Sequence, residues 1–119
     1  MTSAYLAVTI GYSIFLALSA TVYLLRLPRI VTTLRRLGLT APWARVLGAL
    51  KALGALGLLL GIAAPTLGVA AAIGLVLYFL GAVVAHTRAR VFAAADGFPL
   101  AIAFLLAAIA ALELRVAAP

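Results

Sequence analysis

Four stretches of this chain are apolar enough and long enough to cross a lipid bilayer. Residues 4–25, 67–85 and 98–112 contain no Asp, Glu, Lys or Arg. Residues 46–64 contain one such side chain, Lys51. A bilayer's hydrocarbon core is about 30 Å thick and takes around 20 helical residues to span. Backbone amides find no water there, so each run must satisfy its own hydrogen bonds as a helix. Composition agrees. A soluble domain carries about 25% charged residues. This chain carries 9% and is 68% hydrophobic, too apolar to cover itself with polar surface.

The length, 119 residues, allows one membrane domain, 1–119. Its spans are read as 4–25, 46–64, 67–85 and 98–114, the last extended through Glu113 and Leu114 so that Arg115 reaches the headgroups. Pro65 and Thr66 break the second run from the third, which predicts a tight antiparallel hairpin. Asp96 and Pro99 suit the start of the fourth helix, as a cap and a first-turn proline. The first run is preceded by no basic segment and is too long for a usual signal-peptide core, so it is read as a span.

Between the first two spans, residues 28–37 start with Pro28 and stop before Gly38, as a short helix would. Ile30, Val31, Leu34 and Leu37 share one side, with Arg29 and Arg36 on others. That pattern predicts a helix lying in the membrane interface, the alternative being a plain basic loop. Trp43 marks the headgroup level where the second span begins. The expected fold class is all-α, an integral membrane four-helix bundle with a short interfacial helix between spans one and two.

The net charge is +7. On a soluble protein that would suggest nucleic acid. Here the charges flank apolar runs, so no nucleic-acid partner is expected, and topology and anionic headgroups account for them. Arg26, Arg29, Arg35, Arg36 and Arg45 lie between spans one and two, and Arg88 and Arg90 between three and four. The other side has Arg115. The basic loops are therefore expected in the cytoplasm, with both termini outside.

Helices in a bilayer associate through small residues and polar contacts. On span one Tyr5, Thr9, Tyr12, Leu16, Ser19 and Tyr23 form one stripe, mostly hydroxyls, expected to face the bundle interior. On span two Lys51 shares a side with Gly48, Gly54, Ala55 and Gly61, opposite Val46, Leu53, Leu56 and Leu60. On span three Tyr78 shares a side with Ala71, Gly74, Gly81, Ala82 and Ala85, opposite Ile73 and Leu80. Gly57 and Gly61 have the spacing of a small-xxx-small pair, which serves self-association and internal packing alike.

Lys51 is the residue that asks for an explanation. At the helical rise it lies about 8 Å inside the cytoplasmic edge, and Tyr78 about 10 Å inside the same edge. Tyr23, His86 and Asp96 fall nearby on that side, so these residues can converge with Tyr12 on one intramembrane polar site. An ammonium in hydrocarbon is costly, and such residues usually face the interior and mark function. The alternatives are structural. Lys51 can snorkel about one turn to the surface, His86 can be interfacial, and Asp96 can be a helix cap. Metal and cofactor sites are not expected, because the chain has one His and no Cys. No span holds a central carboxylate, which speaks against a proton-coupled exporter.

The segments "RLGLTAPW", "VLGALKALGALGLLLG" and "LGVAAAIGLVLYFLGAVVAHTRAR" resemble the DoxX-like family of small bacterial membrane proteins. The resemblance covers Leu37 to Arg90 and rests most on the Lys51-x-Leu-Gly-Ala-Leu-Gly core and the end of span three, from Tyr78 to His86 and Arg88. It implies a four-helix bundle in a bacterial cytoplasmic membrane. The family is named after a subunit of a thiosulfate:quinone oxidoreductase, and other members accompany redox proteins, which implies a redox or other protein partner at the cytoplasmic face. No residue here carries those activities over. The first reading is a non-enzymatic accessory subunit or a lipid- or quinone-binding scaffold, its partner a membrane lipid or other amphiphile. The alternatives are a membrane enzyme acting on an isoprenoid, sterol-like or quinone substrate, and a small transporter or channel formed as a homo-oligomer. A pocket lined by Tyr12, Lys51 and Tyr78 would favour binding or catalysis, tight packing a scaffold, and a hydrated path transport.

Overall fold

The computed structural model describes residues 3–40, 42–92 and 97–117. Among them are five helices: α1 (Ser3–Leu24), α2 (Pro28–Arg36), α3 (Trp43–Leu60), α4 (Pro65–Ala89) and α5 (Phe98–Ala117). Among the described residues there is no strand. All helices but α2 have the length and hydropathy to cross a membrane. The long axis of the molecule, 43 Å, matches a bilayer including its headgroup layers.

The four long helices form a ring in which α1 packs on α3, α3 on α4, α4 on α5 and α5 on α1. Chain direction alternates around that ring. The start of α1 and the end of α5 therefore meet at one end, where the Arg115 guanidinium sits 5.1 Å from the Tyr5 ring centre. The α3–α4 turn lies at this same hairpin end, and α2 lies at the other. The turn runs from Gly61 to Ala64, and Pro65 opens α4 instead of breaking the chain. Proline suits a first helical position, where its missing N–H would have had no partner.

The α2 helix is bounded as its sequence suggests. Pro28 occupies the first turn, and Gly38 closes the helix at φ +85°. Gly38 N–H donates to the Arg35 carbonyl and Leu39 N–H to the Leu34 carbonyl, the paired bonds of a Schellman stop. Thr33 and Leu34 are buried against the bundle.

Lipid-facing packing depends on shape, since hydrocarbon offers no hydrophobic drive between helices. The α3–α4 contact is graded. A methyl group added to Gly61 would run into the Gly68 backbone, one on Gly57 would meet the Ala71 side chain at 2.7 Å, and one on Gly54 would meet Leu75. The small-xxx-small pair thus serves internal packing. Gly48 makes the matching close approach to α1, with the Ala20 carbonyl 3.0 Å from where its methyl would be.

The core face of α1 contains Tyr5, Thr9, Tyr12, Ser13, Leu16 and Ala20. On α3 the inward residues are Gly48, Lys51 and Ala55, followed by Gly61 just past the helix end, with Val46, Leu53, Leu56 and Leu60 outward. The face of α4 differs from the sequence expectation. Gly68, Ala72, Leu75, Phe79 and His86 are buried, while Gly74 and Gly81 are exposed and nothing lies within 4 Å of a methyl added to either. The core is filled by Leu75 and by Phe79, which packs on Phe104 of α5 with ring centres 5.1 Å apart. Gly74 and Gly81 border open space instead.

Two outcomes are expected. Gly61→Val should destabilise the detergent-solubilised bundle by about 1–3 kcal/mol, as overpacking does, whereas Gly74→Ala should be neutral or stabilise it by up to about 1 kcal/mol. Thermal unfolding followed by circular dichroism reads both. Tyr12→Phe, which removes a 2.7 Å hydrogen bond to the Phe104 carbonyl, should cost about 1 kcal/mol in the same assay.

Candidate functional site

The site is a cavity of about 660 Å³ in the α2 half of the bundle. That volume lies within the range of small-molecule pockets. All five helices contribute to it. Phe15, Leu18, Ser19 and Tyr23 come from α1, Leu47 and Lys51 from α3, and Leu100 and Phe104 from α5. Tyr78, Phe79, Gly81, Ala82, Ala85 and His86 come from α4. The short helix α2 supplies Arg29, Ile30, Thr33 and Leu34, so its apolar side faces this space.

The space exists because of residue size. Gly81, Ala82 and Ala85 line it from α4, where larger side chains would fill it. Its inner end is closed by aromatic rings. Tyr78 and Phe79 meet edge to face at 4.8 Å, Phe79 packs on Phe104, and Tyr12 packs on Phe104 at 5.7 Å.

Lys51 points into this space and is only 4% exposed. Its Nζ donates to Ser19 Oγ at 2.7 Å and lies 3.6 Å from the centre of the Tyr23 ring. The Tyr78 and Phe79 rings stand at 5.9 and 5.8 Å. The ammonium does not snorkel. A hydroxyl oxygen and aromatic faces hold it inside, and a cation over a desolvated aromatic face gains up to about 2 kcal/mol. The Tyr78 hydroxyl reaches from α4 toward the Leu47 carbonyl on α3 at 3.5 Å, the long limit for a hydrogen bond.

The residues singled out from sequence separate as follows. Lys51, Tyr23, Tyr78 and His86 all line the cavity. His86 is buried, with Nδ1 2.8 Å from the Val91 carbonyl, so one nitrogen of its ring ties down the turn that ends α4. Tyr12 lies deeper, with its hydroxyl on the Phe104 carbonyl and outside the cavity lining. Asp96 lies outside the described residues.

Sequence reasoning missed two contributors. Ser19 belonged to the hydroxyl stripe but was not paired with Lys51, which it meets because α1 and α3 pack closely along that level. Arg29 was assigned to the polar side of α2, yet it lines the cavity. Arg115 also departs from expectation. It is 4% exposed and packs on Tyr5 instead of reaching into the headgroups. Periodicity contained the signal, because Ala101, Phe104, Ala108, Ala111 and Arg115 form one continuous buried stripe on α5. Glu113 is exposed, away from that stripe.

Chemically, the described residues around the cavity offer donors and aromatic faces. Lys51, Arg29 and the tyrosine hydroxyls can donate hydrogen bonds, and no carboxylate stands among the described lining. Such a lining suits an oxygen-rich acceptor beside an apolar body. No curated protein and no solved structure matches the chain. The DoxX-like family profile matches residues 7–111, taking in all of α2, α3 and α4, every cavity-lining residue and most of α1 and α5. This multi-pass membrane protein belongs to the DoxX-like family.

Proposed function

We propose that this protein binds an amphiphile, holding an acceptor-rich, anionic head against Lys51 inside the membrane, and that it acts as a non-enzymatic binding or accessory component of a bacterial cytoplasmic membrane. The observation that carries this reading is the cavity at Lys51. An internal ammonium beside a void of about 660 Å³ has room for a ligand that a tightly packed scaffold would lack. The donors Lys51 and Tyr78 and the rings of Tyr23, Phe79 and Phe104 give one polar end and an apolar body. A head with several acceptor oxygens would accept hydrogen bonds from the ammonium N–H groups that Ser19 does not use.

The basic loops lie in the cytoplasm and both termini outside. What supports this orientation is charge: Arg26, Arg29, Arg35, Arg36, Arg45, Arg88 and Arg90 all fall at the α2 end or its neighbouring loop. The amphipathic α2 then lies in the inner interface, where anionic lipids attract arginine.

Lys51→Gln should keep the bundle folded and lower the amount of copurifying amphiphile about tenfold or more, the loss expected for a charge-assisted hydrogen bond. Mass spectrometry of protein prepared in mild detergent measures it, and equal retention by wild type and variant would remove the site. Orientation has its own check. The chain has no cysteine, so Arg35→Cys introduces a single thiol. An impermeant maleimide should reach it only after the membrane is permeabilised, and labelling of intact cells would reverse the topology.

A further inference from the structure

A second void lies on the outside of the bundle, between α3 and α4. It measures about 480 Å³ and is lined by Leu50, Leu53 and Gly54 on one side and by Ala71, Gly74 and Leu77 on the other. Leu50, Leu53 and Leu77 are exposed on the outer surface of the bundle. Tyr78 lines this groove and also lines the internal cavity. One ring therefore stands between an apolar, lipid-facing channel and the polar space around Lys51. Its hydroxyl holds the partition by one long contact with the Leu47 carbonyl.

We infer that the α3–α4 groove holds the aliphatic chain of the amphiphile whose head sits at Lys51, and that this ligand, a single-chain amphiphile with an anionic acceptor head, reaches the cavity sideways past Tyr78. The inference rests on the head site proposed above. An amphiphile buried by its head needs an apolar exit for its chain, and Tyr78 borders such an exit. From Ala71 to Tyr78 the groove runs about 10 Å along α4, the shape of an extended chain more than of a ring. Its floor is kept open by Gly74. Nothing packs against that position, and glycine within a helix costs about 1 kcal/mol relative to alanine, so it contributes neither close packing nor helix stability there. It contributes room.

The test uses dodecyl phosphate carrying a diazirine at the chain end, with the full-length protein in zwitterionic nanodiscs. Adducts are mapped by peptide mass spectrometry and counted in excess of those from the uncharged dodecyl alcohol probe. Excess adducts are expected on Leu50, Leu53 and Leu77. Gly74→Leu should fill the groove and reduce them by about tenfold, and Lys51→Gln should do the same by releasing the head. Leu53→Trp, at a lipid-exposed position, is a second way to block the groove, and helical content and particle mass show that each variant is folded. Lys51-dependent adducts that map elsewhere and ignore Gly74→Leu would overturn the groove and leave the cavity reading standing. Labelling that ignores Lys51→Gln would overturn both. A drop in oligomeric mass with Gly74→Leu, without excess adducts in the wild type, would show that a second copy covers the groove and would end the proposal.

Discussion

Everything in this bundle follows from the close approach of α3 and α4 at Gly61 and Gly68. In hydrocarbon, two apolar helices gain nothing by hiding from the solvent, so contact must come from backbones that fit. The fit changes steadily along the pair. Gly61 meets Gly68, Gly57 meets Ala71, Gly54 meets Leu75, and beyond them Tyr78 stretches toward the Leu47 carbonyl. Each step along α4 puts a larger side chain into the gap. The graded sizes act as a wedge that pinches the hairpin end and leaves space toward α2.

That wedge gives Lys51 its surroundings. An ammonium at this depth would be expelled from a uniformly packed bundle of leucines. Here it meets Ser19 and the face of Tyr23, both presented by α1 because Gly48 allows α1 to come close. The polar site and the tight glycine contacts are two results of the same choice of residue sizes.

The spans were legible because hydrocarbon imposes so coarse a rule: stretches without charge, of one length, must be helices. The inward faces of α1 and α3 were legible too, because the stripe of Tyr5, Thr9 and Tyr12 and the lone charge of Lys51 are the features least suited to lipid, and all are buried. The face of α4 was not. Small residues signal close packing when another helix fills the space beside them, and signal a void when none does, and a single chain's periodicity is the same in both cases. Gly68 packs and Gly74 does not, although they sit less than two turns apart. Arg115 was misplaced for a related reason. An arginine at the end of a span has headgroups within reach, but the α5 stripe happens to end against Tyr5. Ser19 was visible as an inward hydroxyl, while its pairing with Lys51 depends on the register of α1 against α3, which no local pattern encodes.

Both long helices that run toward the α2 end finish on an arginine in the left-handed region, Arg26 at φ +50° and Arg90 at φ +57°. Glycine adopts that conformation freely, and a side chain there is held with some strain. A chain selected for comfort in its finished state would place glycine at both exits. Arginine there instead keeps a cation beside the last carbonyls of each helix, whose partial negative charge it complements. The backbone strain at these two residues is thus set against an electrostatic gain at the helix ends that glycine would not supply.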